Sequence, residues 1–132
     1  MTLKINDDGR VRMLTLNRPQ QLNAFNNAQF LAFAEALEQA EKDPGIATVV
    51  ITGEGRAFSA GQDLTEMQRM IDSGSDGYQF PVFLERLTSF KKPLVAAVNG
   101  VGVGIGMTML SHFDLVLMSS TAKPVSYTHL RA

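Results

Sequence analysis

Two short glycine-containing segments have residue types that could bind an oxygen atom through the backbone. Ala60-Gly61-Gln62-Asp63 follows a short apolar run, and Gly104-Ile105-Gly106 follows a longer one. In both segments glycine permits a sharp turn and a close approach, and a helix is predicted to begin nearby. The first N–H groups of a helix have no partner within that helix. Two such turns brought together would form an oxyanion hole, which stabilises negative charge developing on a carbonyl oxygen.

The spacing of these glycines also fits other interpretations. A glycine after a strand is more commonly part of a tight turn than of a ligand site. The run from Gly100 to Gly106 has some likeness to a dinucleotide-binding loop, but Ile105 breaks the G-x-G-x-x-G spacing. Spacing alone therefore leaves a plain turn and an oxyanion hole as alternatives, and it argues against a dinucleotide site.

Few side chains near the two turns could act as an acid, a base or a nucleophile. Asp63 is predicted to cap a helix, and Asp114 is predicted to fix a turn before the last strand. His112, next to Phe113 on a predicted helix, is more typical of a structural histidine. Ser59 has no evident base partner, so a pair of nucleophile and base is not indicated. No catalytic base can be assigned from these residues.

The composition is typical of a globular domain and argues against several classes of partner. The chain has 132 residues, of which 45% are apolar and 19% are charged, and its formal net charge is −1. That length is enough for one core, and that charge predicts no nucleic-acid partner and no acidic-membrane partner. With no cysteine and two histidines, we expect no metal site. No apolar run approaches the roughly 18 residues of a membrane span and no signal peptide is evident, so we expect a cytoplasmic protein.

Apolar periodicity predicts the elements that would position the two turns. Alternating residues around Asp8-Gly9 predict a β-hairpin over 2–16. Asp63 and Glu66 have the spacing of a capping box, and 73–77 is predicted to be a flexible connection. We expect a helix over 27–42, capped by Asn26 or Asn27 and with Phe30 and Phe33 on its apolar face, and further helices over 64–71, 80–90 and 107–112. We expect strands over 46–52 and 115–118, a short strand that turns into a helix within 57–64, and a strand within 92–98 that is buried on both faces. This alternation predicts an α/β fold with a largely parallel sheet.

The sequence resembles the crotonase superfamily, the enoyl-CoA hydratase/isomerase family. The matching motifs occur in family order over residues 10–120: Leu16-Asn17-Arg18-Pro19, Asn23-Ala24-Phe25, Asp43-Pro44, Val49-Val50-Ile51-Thr52-Gly53, Phe58–Leu64, Lys92-Pro93, and Ala97-Val98-Asn99-Gly100 with the glycines that follow. The resemblance implies an α/β crotonase-like spiral of ββα turns. It also implies binding of an acyl-CoA thioester and an oxyanion hole for the thioester enolate.

The same resemblance implies roles for particular residues. The two oxyanion N–H donors fall on Gln62 and Ile105. Hydratases of the family carry a glutamate where this chain has Thr108, and the surrounding pattern is more similar to the Δ3,Δ2-enoyl-CoA isomerase branch, which relies on a later glutamate. The implied residues for binding coenzyme A and the acyl group are Asn23, Ala24, Phe25, Ala60, Gly61, Asp63, Leu64, Thr65 and Gly104.

The last residues differ from the family pattern. Residues 125–132 resemble the translation of a sequencing-library adapter, so we expect 1–123 to be the N-terminal part of the spiral and 124–132 to be a non-native tail. The implied base would follow residue 123, so we expect the 132-residue chain itself to be inactive and poorly soluble.

The resemblance implies an activity for the complete protein. That activity is isomerisation of a 3-enoyl-CoA to a 2-enoyl-CoA. The alternatives are hydration of a 2-enoyl-CoA, a ring-forming or ring-opening isomerisation of a CoA thioester, and a non-catalytic CoA-binding subunit. The resemblance further implies a homotrimer or a dimer of trimers. No separate cofactor is expected, because coenzyme A is part of the substrate.

Overall fold

The computed structural model describes residues 2–74 and 78–120, together with the backbone of 124–125. The strands are β1 (Leu3–Asp8), β2 (Val11–Leu16), β3 (Thr48–Gly53), β4 (Ala57–Ser59), β5 (Leu94–Val98), β6 (Val101–Val103), β7 (Leu115–Met118) and β8 (Pro124–Val125). The helices are α1 (Asn27–Lys42), α2 (Leu64–Ser73), α3 (Phe80–Ser89) and α4 (Ile105–Thr108), and 3₁₀ turns span Pro19–Gln21 and Met109–His112. Most of the predicted connection at 73–77 and of the predicted tail at 124–132 lies outside the described residues.

The strands form two sheets. The larger has the order β1-β2-β3-β5-β7, in which β1 is antiparallel to β2 and the other neighbours are parallel. The smaller has the order β4-β6-β8 and is parallel throughout. The hairpin and the largely parallel pairing are therefore confirmed. Residues 101–103, for which no strand was predicted, pair with distant β4 and form a strand of the smaller sheet.

Helix α1 carries the largest part of the aromatic core. It begins after Asn26, whose side chain accepts a backbone N–H at 2.8 Å, so the predicted cap is confirmed. Phe30 and Phe33 are buried on the predicted apolar face, and the Phe33 ring lies 5.1 Å from the ring of Phe83 in α3. Phe25, just before the helix, stacks on Phe30 with 5.0 Å between ring centroids. This cluster anchors the backbone that runs beside the first glycine turn.

Strand β5 departs from the prediction that both of its faces are buried. Leu94, Ala96 and Val98 are buried, whereas Val95 and Ala97 are half-buried. An apolar run indicates a strand but does not show whether both of its faces are covered, because that depends on elements elsewhere in the chain.

The predicted capping box at the start of α2 is only half formed. The Asp63 carboxylate accepts the Glu66 N–H at 3.2 Å, so Asp63 is a helix cap as predicted. The Glu66 carboxylate instead accepts the N–H of Asn27, and the Asp63 N–H donates to the Phe25 carbonyl at 2.8 Å. A tertiary donor at the start of α1 therefore replaces the local partner that the sequence spacing suggests.

Candidate active site

The first glycine turn follows β4 and holds Gln62 between two hydrogen bonds to Phe25. The Phe25 N–H donates to the Gly61 carbonyl at 2.6 Å, and the Asp63 N–H donates to the Phe25 carbonyl at 2.8 Å. This is a single parallel bridge between Phe25 and Gln62. In such a bridge the residue between the two bonds directs its own N–H to the opposite side. The Gln62 N–H therefore faces away from the aromatic cluster.

Two buried polar side chains fix the backbone of this turn. The Ser59 hydroxyl donates to the Asn23 carbonyl at 2.9 Å and accepts the Gly61 N–H at 3.1 Å. The Asn23 amide donates to the Ala57 carbonyl at 2.9 Å and accepts the Arg18 N–H at 2.8 Å. Because both side chains are buried and hydrogen-bonded, they act here as supports for the turn.

The second turn follows β6 and starts α4 two residues earlier than predicted. The Gly104 carbonyl accepts the N–H groups of Met107 and Thr108, each at 2.9 Å. Ile105 is the first residue of this helical turn, so its N–H has no partner within it. Neither the Ile105 N–H nor the Gln62 N–H donates a hydrogen bond to any of the described residues.

The two turns lie against each other. A Cβ placed on Gly61 would be 2.7 Å from the Val103 carbonyl oxygen and 3.5 Å from the Ile105 nitrogen. A Cβ placed on Gly106 would be 2.2 Å from the Ser59 carbonyl oxygen. Glycine at both positions therefore permits a backbone contact that any side chain would push apart.

Both turns open onto one cavity of about 530 Å³. Six of the predicted site residues line it, namely Ala60, Gly61, Gln62, Leu64, Gly104 and Ile105, and the rest of its described lining consists of Met67, Tyr78, Phe80 and Thr108. The fold thus brings the two turns together, which is the arrangement that an oxyanion hole requires. Two unpaired N–H groups at the edge of a largely apolar cavity can stabilise an oxyanion, because few competing dipoles surround them.

The other predicted binding residues do not line this cavity. Asn23, Ala24 and Phe25 are buried behind the first turn. Asp63 caps α2 and pairs with Arg18 at 3.3 Å. Thr65 is exposed on α2. Their contacts with coenzyme A or an acyl group stay predictions.

The candidate acid and base side chains contribute little to the cavity. Asp114 was predicted to fix a local turn, but it joins the start of β7 to the start of β5: its N–H donates to the Leu94 carbonyl and its carboxylate accepts the Leu94 N–H, both at 2.8 Å. His112 is exposed and does not line the cavity. Among the described lining residues, Tyr78 has the one ionisable side chain, and burial raises the pKa of its phenol. Tyr78 therefore stays neutral near pH 7 and is unsuited to act as a base.

The family model for enoyl-CoA hydratase/isomerase matches residues 6–131. The chain belongs to the enoyl-CoA hydratase/isomerase family, within the crotonase superfamily. It is 39% identical over 121 residues to 1,2-epoxyphenylacetyl-CoA isomerase from Escherichia coli. The match covers 86% of this chain and 45% of the relative. It is 41% identical over 114 residues to 2,3-dehydroadipyl-CoA hydratase from the same organism, with the same coverage of 86% and 45%.

The fold of this enoyl-CoA hydratase/isomerase family member matches solved structures closely. An enoyl-CoA hydratase from Mycobacterium marinum superposes with a TM-score of 0.91 at 52% identity, covering 96% of this chain and 61% of that one. The predicted crotonase-like α/β fold is thereby confirmed. The chain spans about half the length of the curated relatives that it matches.

None of the helices in the described part of the chain is long and apolar enough to cross a membrane. Within 2–74, 78–120 and 124–125, no three acidic or histidine side chains are grouped so that they could hold a metal ion.

Proposed function

We propose that the complete protein binds an acyl-CoA thioester and holds its carbonyl oxygen between the N–H groups of Gln62 and Ile105. The observation that carries this proposal is the meeting of the two turns. Both donors lie at the edge of one cavity, and neither donates to another described residue. Both curated relatives described above are named for CoA thioesters, which supports the choice of substrate class.

The chemistry that such a site favours is formation of a thioester enolate. Loss of a proton from the carbon next to the carbonyl moves an electron pair onto the thioester oxygen. Two backbone donors fixed at that oxygen stabilise the charge more strongly than they stabilise the neutral carbonyl, so they lower the barrier. Removing one donor from such a site typically slows the reaction by about 10²–10³-fold.

Isomerisation of a 3-enoyl-CoA is the reaction that this chain favours. A base removes a proton from C2, the electrons spread over the dienolate, and a proton is returned at C4, which leaves the double bond between C2 and C3. One base suffices for both transfers, whereas hydration generally benefits from two carboxylates. None of the described residues that line the cavity carries a carboxylate. The family resemblance implies that Thr108 takes the place of a glutamate found in hydratases. We therefore propose that the base comes from a part of the complete protein beyond this chain.

Hydration of a 2-enoyl-CoA is the second candidate. The relative of 41% identity and the solved structure of 52% identity are both named hydratases, so sequence identity favours this reaction while Thr108 favours the first. A non-catalytic CoA-binding subunit is the third candidate, since the described lining offers a binding site without a base.

An assay of the complete protein separates the three candidates. A 3-enoyl-CoA and a 2-enoyl-CoA are supplied in turn, and formation or loss of the conjugated thioester is followed by its absorbance. Conversion of the first substrate at a higher kcat/KM supports isomerisation, and faster consumption of the second supports hydration. Binding of both without turnover supports the non-catalytic subunit. If neither acyl-CoA binds, the proposal as a whole is contradicted.

The proposal extends to assembly and location. We propose a homotrimer or a dimer of trimers in the cytoplasm, with coenzyme A entering only as part of the substrate. Sedimentation velocity of the complete protein tests the assembly, because a monomer or a dimer would contradict it.

A further inference from the structure

Two cavities share a wall that consists of one side chain from α2 and one from the segment before α3. Met67 and Tyr78 line both the 530 Å³ cavity at the two turns and a second cavity of about 260 Å³. The rest of the described lining of the second cavity is Met70 and Ile71, so it is apolar. An acyl chain that passes between Met67 and Tyr78 would continue from the first cavity into the second.

Asn27 is hydrogen-bonded to the chain neighbour of each residue in this shared wall. Its N–H donates to the carboxylate of Glu66, the residue before Met67 in α2. Its side-chain oxygen accepts the Gln79 N–H, next to Tyr78, at 2.8 Å. Asn27 also lines, with Met67 and Tyr78, a gap of about 10 Å³. The separation of the two sides of the wall is thus tied to one residue at the start of α1.

We infer that Asn27 is a positioning residue that holds Met67 and Tyr78 at a fixed separation and thereby sets the length of acyl chain that the site accepts. This inference rests on the proposed acyl-CoA site. Methionine is unbranched and flexible, so the wall yields to a chain only as far as the two segments that carry it can move apart. The bonds from Asn27 limit that movement.

The measurable consequence is a break in the dependence of affinity on chain length, that is, an acyl length beyond which further carbons no longer tighten binding. Each methylene buried in an apolar cavity should tighten binding about fourfold. We expect the Kd of saturated acyl-CoAs to fall along the series from acetyl-CoA to dodecanoyl-CoA until the second cavity is full, and then to level off. Saturated thioesters have no double bond to isomerise, so the measurement reports binding alone.

The Asn27→Ala variant should move that break by two carbons or more, because the Gln79 N–H loses its acceptor and Tyr78 is released. Asn27→Asp keeps an oxygen acceptor at the same position and should restore the break. Asn26→Ala is the matched control, because Asn26 also accepts a backbone N–H at 2.8 Å at the same helix start but is not bonded to the wall. Glu66→Ala releases the other side of the wall and should move the break as Asn27→Ala does.

Isothermal titration of the folded variants of the complete protein with the acyl-CoA series and with coenzyme A decides between the outcomes. A break that moves in Asn27→Ala and Glu66→Ala, and stays in place in Asn27→Asp and Asn26→Ala, supports the inference. An unmoved break in Asn27→Ala or Glu66→Ala overturns it. An equal movement in Asn26→Ala also overturns it, because the effect would then be a general loss of the helix start. If no acyl-CoA binds more tightly than coenzyme A does, the proposed function itself fails.

Discussion

The substitution Gly61→Ala should separate the two glycine turns and disable the site while leaving the protein folded. Gly61 has a φ of +94°, which side chains rarely adopt, and its new Cβ would lie 2.7 Å from the Val103 carbonyl oxygen. Gly74, at the end of α2, provides a matched control. Its φ is +67°, and a Cβ there would meet none of the described residues within 4 Å. The difference between the two variants therefore isolates the contact between the turns.

The two variants share one cost and differ in another. The left-handed backbone costs an alanine about 1–2 kcal/mol at either position. At Gly61 the Cβ must also move from 2.7 Å to beyond 3.0 Å from the Val103 oxygen, which displaces the strand end that carries Ile105. Because misplacement of a catalytic group by about 1 Å can cost about 10²-fold, we expect kcat/KM to fall up to 10²-fold, or about 2.7 kcal/mol in activation free energy.

The assay pairs urea unfolding with isomerisation of a 3-enoyl-CoA by the complete protein. Both variants should lose stability, Gly61→Ala more than Gly74→Ala because of its contact with the Val103 oxygen, and only Gly61→Ala should lose turnover. If folded Gly61→Ala turns over substrate within threefold of Gly74→Ala, then contact between the turns does not hold the two donors in place, and the reasoning fails.

Three further predictions concern the core, the cavity and the start of α2. Phe83→Ala should lower the free energy of unfolding in urea by about 3–5 kcal/mol, because the ring is fully buried and its removal leaves a cavity. Val82→Ala, at an exposed position, is the control and should lower that free energy far less. Burial raises the pKa of Tyr78, so the folded state binds the phenolic proton more tightly than the unfolded state does. Stability should therefore fall as the pH rises above about 10, and Tyr78→Phe should flatten that fall in alkaline unfolding curves. Asp63→Ala removes the cap of α2 and should lower the free energy of unfolding in urea by about 1 kcal/mol. Asp63→Asn keeps an oxygen acceptor and should lower it much less; equal decreases in the two variants would contradict the capping role.

Thr108 offers a test of the choice between isomerisation and hydration. Thr108 is exposed and lines the cavity, so a glutamate can be placed there without disturbing the core. Positioned general acid–base groups typically contribute about 10²–10⁴-fold, so Thr108→Glu should raise the ratio of hydration to isomerisation at least tenfold in the complete protein. Thr108→Gln, which has a similar shape and no charge, is the control. An unchanged ratio in Thr108→Glu would show that this position does not set the reaction.

Local signals predicted the elements, and non-local contacts decided their arrangement. The apolar spacing of Phe30 and Phe33 was enough to predict α1 and its buried face, because that signal is contained within one helix. The partners of Lys92 could not be predicted in this way. Its ammonium group donates to the carbonyls of Ala40, Asp43 and Ile46, each at 2.7 Å, at the distant end of α1.

The backbone part of the site could be predicted, but the side chains that enclose it could not. The two glycine turns are visible in the sequence near predicted helix starts, and the family resemblance implied that Gln62 and Ile105 are the donors within them. Tyr78 lies in a segment without a periodic signal. Its position depends on the Asn27–Gln79 hydrogen bond and on an edge contact with Phe30, whose ring is 6.2 Å away. These contacts of Tyr78 join residues that are far apart in the sequence, so local spacing does not predict them.

The central claim is that the N–H groups of Gln62 and Ile105 bind the thioester oxygen, and amide NMR tests it most directly. The ¹⁵N-labelled protein is titrated with a saturated acyl-CoA and, separately, with coenzyme A, which lacks the carbonyl. We predict large downfield proton shifts at the Gln62 and Ile105 amides with acyl-CoA and much smaller ones with coenzyme A. If acyl-CoA binds and neither amide shifts, the two turns do not form an oxyanion hole.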